Sequence, residues 1–196
     1  VLKGAGYQTL MSGKWHIGGG YDAHNPQTWT PGAAGNPTPQ QRGFDRFFGT
    51  LVGAGSFFYP HMLTENGDVI TDYPDEFYYT DAITDKAVEM IADANQNDKP
   101  FFLHVAYTAP HWPLHAKADD IAKYEGTYQQ GWDTLRQHRH EELNSLGILD
   151  PIWKISPRDE DSFPWAESKH TDWEDLRMAI YAAQIDCMDQ GIGRIL

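Results

Sequence analysis

The segment from residue 79 to residue 107 limits the choice of fold more than any other part of the chain. Ala82, Ile83, Ala87, Val88, Met90, Ile91 and Ala94 recur at helical spacing, with Asp85, Lys86 and Glu89 left for a wet face. That pattern predicts an amphipathic helix over residues 79–95. Asp98-Lys99-Pro100 makes a short turn, and Phe101-Phe102-Leu103-His104-Val105-Ala106-Tyr107 follows. This run is apolar on both faces, as a central strand covered on two sides would be. Helix, short turn and buried strand in succession point to an α/β sheet. His104, set inside the apolar run, reads as a hydrogen-bonded core histidine and not as a ligand.

Other elements attach to this unit. Arg42-Gly43-Phe44-Asp45-Arg46-Phe47-Phe48-Gly49 reads as a turn leading into a buried strand. Asn66-Gly67, between β-prone residues, signals a tight hairpin within residues 62–71, because both central positions of that turn need positive φ. A helix is expected over residues 129–146, with Trp132, Leu135, Leu143 and Leu146 turned inward and Gly147 ending it. Residues 150–171, with Pro151, Pro157 and Pro164, read as irregular. A last helix from about residue 172 carries Leu176, Ala179, Ile180, Ala183, Cys187 and Ile192 on an apolar stripe. Residues 18–39 are rich in Gly, Pro, Asn and Thr without a period, and a loop longer than about 15 residues in a compact domain is usually functional or mobile.

The chain of 196 residues has a composition close to that of a globular protein. Its formal net charge of −13 argues against nonspecific binding to nucleic acid or to an anionic membrane surface. An anionic substrate stays possible, because a few cations converging in a cleft reverse the local potential. No apolar run approaches the roughly 18–20 residues of a membrane span, and the first residues show no signal-peptide pattern. Cys187 is the only cysteine, so no disulfide forms within these residues. The chain opens on what reads as a helix end and stops inside an apolar helical pattern, which suggests an internal fragment of a longer protein.

The chemistry-bearing residues cluster in two places. In Gly13-Lys14-Trp15-His16-Ile17-Gly18 a cation and an imidazole stand two residues apart. In an extended segment both would share a face, with Trp15 on the other, and could converge on one anion. Thr108-Ala109-Pro110-His111-Trp112-Pro113-Leu114-His115 places a second imidazole just past a strand end, in a loop stiffened by two prolines, where catalytic groups tend to lie. Trp112 and His115 could line a leaving-group pocket or simply fill space. His138 and His140 diverge by about 200° on a helix and read as a solvated face. Asp159-Glu160-Asp161 lacks the spacing and glycine of a dedicated calcium loop and reads as solvated. Cys187 reads as a small buried hydrophobe.

The ordered set of Gly6-Tyr7-Gln8-Thr9, Gly13-Lys14-Trp15-His16-Ile17-Gly18, Arg42-Gly43-Phe44-Asp45, Tyr79-Thr80-Asp81, Pro100-Phe101-Phe102-Leu103, Pro110-His111-Trp112-Pro113-Leu114 and Asp189-Gln190-Gly191-Ile192-Gly193-Arg194 resembles the type I sulfatases of the alkaline phosphatase superfamily, arylsulfatase-like members among them. The resemblance implies an α/β fold, with residues 1–196 as part of a sulfatase catalytic domain truncated at both ends and a mixed, mostly parallel sheet sandwiched between helices. It implies a sulfuric ester hydrolase acting on an aryl or carbohydrate sulfate, through a formylglycine nucleophile beside a divalent cation, usually calcium. In that scheme Lys14 holds the sulfate and the formylglycine oxygen, and His16 is the base that breaks the sulfated hemiacetal. His111 binds sulfate and helps protonate the leaving oxygen, while Trp112 and His115 contribute to substrate binding. A formylglycine-generating maturation enzyme is the implied partner of the full-length protein, and a periplasmic or extracellular location is the implied compartment.

The departures from the family pattern are specific. No Cys/Ser-x-Pro-x-Arg motif occurs, and Cys187 is followed by Met188-Asp189-Gln190. The resemblance puts the formylglycine and the metal ligands outside these residues, so no metal ligand is expected among them and the piece alone is expected to be inactive. Two alternatives fit the same Lys and His set. One is a phosphonate or phosphate monoester hydrolase of the superfamily, and the other a noncatalytic protein that binds sulfated glycans.

Overall fold

The computed structural model describes residues 1–22, 24 and 28–196. The stretch that reads as one domain divides into two compact units, residues 1–116 with 184–196 and residues 117–183. Part of the loop expected over residues 18–39 therefore lies outside the described residues. The remainder of that loop carries no strand and no α-helix.

The first unit is built on a five-stranded sheet of β1 (Gln8–Gly13), β2 (Arg46–Thr50), β3 (Leu63–Glu65), β4 (Asp68–Val69) and β5 (Phe101–Ala106), in the order β4-β3-β2-β1-β5. β1 runs parallel to both β2 and β5, while β3 and β4 are added antiparallel. The sheet is thus mixed, as expected, though its parallel part is confined to β2, β1 and β5. The Asn66-Gly67 turn joins β3 to β4, with Asn66 at φ 52°.

Side-chain alternation along the strands separates two cores. On one face Leu10, Phe48 and Leu63 pack against Tyr79, Ile83 and Met90 of α1 (Tyr79–Ala94). The helix forms where the sequence predicts it, because its buried residues follow the 3.6 period that the sheet face selects. On the other face Met11, Phe47, Leu51 and Val52 pack with Trp15 and Trp29. This second layer is a loop and not a helix: the indoles of Trp15 and Trp29 donate to the carbonyls of Pro37 and Gly18 at 2.8 and 2.7 Å. Burying a side chain such as Phe47 or Ile83, each with no exposed surface, is worth about 1.5–3 kcal/mol.

Three expectations need correction. Among the described residues β5 is an edge strand with one face open: Phe102 is 39% exposed and His104 is exposed with it, where a strand covered on both faces and a core histidine were expected. Phe102 finds only a stacked partner in Phe44, at 6.5 Å. In the last helix, α4 (Thr171–Ile195), the buried positions are Asp175, Ala179, Ala183, Gln184, Cys187 and Gly191, while Leu176 and Ile192 are exposed. Close packing selects the small residues and leaves the large ones outside. Gly191 shows why, since a Cβ there would strike the hydroxyls of Thr84 and Tyr107. Cys187 is buried as expected, and its thiol donates to the Asp81 carboxylate at 3.2 Å.

The second unit contains α2 (Ala118–Ala122), α3 (Trp132–Ser145) and the first part of α4. α3 has no fully buried residue, and Leu146, expected inside, is 65% exposed. Its Trp132 is instead held edge-on by Phe163 and Trp165, with centroids at 5.2 and 4.8 Å. His140 is not part of a merely solvated face, because its ring bonds the Trp153 carbonyl at 2.9 Å. Asp175 is a structural acid that the sequence did not single out. Its carboxylate accepts from the backbone N–H groups of Gly126 and Tyr128, at 2.9 and 2.7 Å.

Asp45 fixes the entry to β2. It accepts from the N–H and hydroxyl of Thr9, both at 2.9 Å, and pairs with Lys3 at 2.6 Å. The Lys3 ammonium, with the bonds from Thr9, holds its carboxyl down at about 2. The favoured form is the carboxylate, so its contribution to stability is whole above the unfolded carboxyl range near about 3.9 and is lost as pH falls from there. Urea unfolding midpoints should fall for wild type between pH 4 and pH 2. Asp45→Asn should be less stable at pH 7 and lose part of that acid dependence; parallel pH profiles for the two proteins would exclude the role.

Candidate active site

Three parallel strands end at one edge of the sheet, and each delivers a piece of the site. In open α/β sheets the crevice beyond the carboxyl ends of parallel strands is where ligands bind. β1 ends at Gly13, where φ is 124° and a Cβ would run into the Ala106 carbonyl, so only glycine lets β1 and β5 approach this closely. The Lys14 N–H then donates to that same Ala106 carbonyl at 2.8 Å, and the Trp15 N–H donates to Thr50 at the end of β2 at 2.9 Å. Lys14 therefore stands between the ends of β5 and β2. Trp15 turns down into the second core.

His16 does not continue the strand. Its φ of 51° is left-handed, so Lys14 and His16 are brought together by a turn and not by the period of two expected of an extended segment. The ring lies over Gly53, where a Cβ would collide with the imidazole. Sequence reading missed Gly53; the only signal was its place in Gly53-Ala54-Gly55, a run that marks close backbone approach.

His111 comes from the loop after β5. Its N–H bonds the Thr108 carbonyl at 3.0 Å, and its Nδ1 lies 2.6 Å from the Trp112 carbonyl. A carbonyl only accepts, so Nδ1 carries the hydrogen and Nε2 is the nitrogen that can exchange a proton. Trp112 is 69% exposed, with its ring 5.1 Å from that of His111. His115 is placed differently: it packs against Phe57 and Phe58, its Nδ1 accepts from the Phe57 N–H at 3.4 Å, and its carbonyl accepts from Tyr78.

The electrostatics tie three of the sequence candidates together. Burial pushes the His16 imidazole below its ordinary range, and the charges of Lys14 and His111 push it further the same way. Burial also lowers Lys14. The Lys14 ammonium thus acts on a neighbouring imidazole at the strand ends, in a protein of net charge −13. Such a local reversal of potential suits an anion.

The sulfatase family model matches residues 1–196, the whole chain. The chain belongs to the sulfatase family. An arylsulfatase of Klebsiella aerogenes is 32% identical over the full chain, which covers 41% of that protein. An uncharacterized sulfatase of Schizosaccharomyces pombe is 29% identical, again over the full chain and 36% of the relative. Among solved structures, Ps i-CgsB in complex with k-i-k-neocarrahexaose is similar with a TM-score of 0.59 and 25% identity, over 99% of this chain and 34% of that one. The sulfatase chain described here thus spans well under half the length of these relatives. Among its described residues no three His, Cys, Asp or Glu side chains converge to hold a metal ion, and no helix is long and apolar enough to cross a membrane. Cys187, buried against Asp81, lacks the motif of a formylglycine precursor. Neither the metal nor the nucleophile fits the residues present.

Coupling at the site is directly measurable. Replacing Lys14 by Gln removes one of the charges acting on His16, so the imidazole should titrate at higher pH than in wild type while staying below its ordinary value, because burial remains. An NMR titration of the His16 ring reads this, and an unchanged midpoint would show that the two groups do not interact.

Proposed function

We propose that the whole protein is a sulfuric ester hydrolase of the arylsulfatase type, acting on an aryl or carbohydrate sulfate. The observation that carries the reading is the gathering of Lys14, His16 and His111 at and just beyond the carboxyl ends of three parallel strands, Lys14 between the ends of β5 and β2, His16 over Gly53 and His111 on the loop after β5. Breaking a sulfate ester builds negative charge on the sulfuryl oxygens and on the leaving oxygen, so fixed cations and a proton donor are the groups that lower the barrier. Lys14 holds the sulfuryl oxygens as a point charge. His111 offers Nε2 to the leaving oxygen, with its orientation fixed by the bond from Nδ1 to Trp112. His16, kept neutral near pH 7 by burial and by its cationic neighbours, is suited to accept a proton. Trp112, exposed beside His111, and His115, packed behind it against Phe57 and Phe58, are the aromatic side of the substrate site.

The reading takes the formylglycine and a divalent cation, calcium by family resemblance, from outside these residues; a formylglycine-generating enzyme is then needed for maturation, and a periplasmic or extracellular compartment fits the family. A glycan sulfate ester as substrate is supported by the similarity to Ps i-CgsB, whose structure holds a neocarrahexaose.

Matched aryl sulfate, phosphate and phosphonate esters, assayed with the full-length protein, test the proposal. Sulfate should be turned over in preference. Lys14→Ala and His111→Ala should each lower kcat/KM by about 10²- to 10⁴-fold, and residues 1–196 alone should show no turnover. Preference for phosphate or phosphonate would move the protein to the other esterase class. Binding of sulfated glycans without any turnover would make it a noncatalytic binder.

A further inference from the structure

A cleft of the second unit lies within residues 117–183, among side chains that the catalytic reading does not use. It measures about 600 Å³ and is walled by α3, the irregular segment after it and α4. Volumes of roughly 300–1,000 Å³ are those of small-molecule sites. We propose that this cleft is a binding site for an uncharged carbohydrate.

The wall chemistry carries the choice of ligand. Four carboxylates, those of Asp133, Asp159, Asp161 and Glu174, face three guanidinium groups, those of Arg136, Arg158 and Arg177. Two of the pairs are already closed, Arg158 with Asp133 and Arg177 with Glu174, both at 2.9 Å. Arg136 spends its Nη2 on uncharged acceptors, the Ser156 hydroxyl at 2.7 Å and the Pro157 carbonyl at 3.3 Å among them. The cleft therefore has no excess of positive charge to hold an anion, and Asp159 and Asp161 would repel one. It offers planar donors and planar acceptors side by side, the set that matches neighbouring hydroxyls, each of which both donates and accepts.

An apolar ring face completes the match. Phe163 is 48% exposed yet held edge-on by Trp132 at 77°. A pyranose has one face of C–H groups and a rim of hydroxyls, so it can lie on Phe163 while its rim meets the arginine and aspartate side chains. The polar groups are fixed before any ligand arrives: the Asp133 carboxylate accepts from the Trp165 N–H at 2.9 Å and from Arg158, which holds it below its ordinary range. The Arg177 guanidinium lies 4.5 Å over the Trp173 ring. Groups held in place this way lose little freedom on binding.

Tryptophan fluorescence and calorimetry on the full-length protein test the site, with unsulfated oligosaccharides of galactose, of N-acetylglucosamine and of N-acetylgalactosamine as probes. At least one should bind saturably. Phe163→Ala should weaken it about tenfold, equivalent to about 1.4 kcal/mol, Arg136→Gln should weaken it also, and Phe163→Tyr, which keeps the ring, should bind as wild type does. Turnover of a small aryl sulfate, which has no sugar, should be the same in Phe163→Ala as in wild type, so failure of the sulfatase reading and failure of this one are seen separately. Four results would overturn the proposal: no probe binds, Phe163→Ala and Arg136→Gln both bind normally, the sulfated forms of the probes bind more tightly than the unsulfated ones, or an arginine-rich peptide binds where the sugars do not.

Discussion

The close approach of three backbones at Gly13 is the contact on which the rest of the site depends. β1 lies between β2 and β5, and a side chain at Gly13 would strike the end of β5. On the other side a Cβ at Gly49 of β2 would strike the Gly13 carbonyl. With both positions bare, the Ala106 carbonyl is free to accept from Lys14 and the Thr50 carbonyl from Trp15. These two bonds decide where the ammonium of Lys14 leaves the sheet and where the indole of Trp15 enters the core. The buried hydroxyl of Ser12, one residue earlier, donates to the Ile83 carbonyl at 2.8 Å and ties the same strand to α1. Position at the site is thus inherited from backbone packing in the middle of the sheet.

Much of this was legible before any coordinates, and the reasons are local. α1 shows its burial in its own period. The hairpin shows its turn in Asn66-Gly67, and the run from Arg42 shows a turn into a strand. The family motifs marked Lys14, His16 and His111. What was not legible depends on neighbours. β5 reads as a strand covered on both sides because Phe102 and His104 say nothing about what faces them, and here that face is exposed. In α4 the large apolar residues suggested the wrong stripe, because a helix packed closely at Gly191 and Cys187 buries small residues first. Lys14 and His16 are brought together by a left-handed turn at His16 and not by the period of an extended segment, and residue types alone do not announce such a turn.

The polar contacts show the same dependence on tertiary context. Asp45 and Asp175 are both carboxylates that accept backbone N–H groups, from Thr9 in one unit and from Gly126 and Tyr128 in the other. Asp175 lies in no sequence pattern that distinguishes it from a surface acid, and the Arg42-Gly43-Phe44-Asp45 motif marks Asp45 without saying what it binds. Each carboxylate thus ties backbone to a residue far along the chain. Tyr79 does comparable work between α1 and β2. The Thr50 N–H donates to its phenol oxygen at 2.7 Å, and burial holds that phenol well above its ordinary range, so it stays protonated and donates onward to the Thr50 hydroxyl. The end of β2, from which the Gly53 loop departs, is therefore anchored before His16 is seated on it.

Local environment then separates Lys14, His16 and His111. Partial removal of Lys14 from water lowers its affinity for a proton, yet an ammonium begins so far above neutrality that it stays charged and keeps its pull on an anion. An imidazole begins close to neutrality, so the smaller desolvation of His16, with Lys14 and His111 beside it, lowers its proton affinity within the range where it matters. An anion placed beside Lys14 would cancel part of the positive field on His16 and raise its proton affinity. His111 is set apart by geometry and not by charge, since its Nδ1 is committed to the Trp112 carbonyl and only Nε2 can trade protons. The three side chains thus differ in environment: Lys14 is partly desolvated, His16 is shifted downward beside it, and His111 is oriented by a single short hydrogen bond.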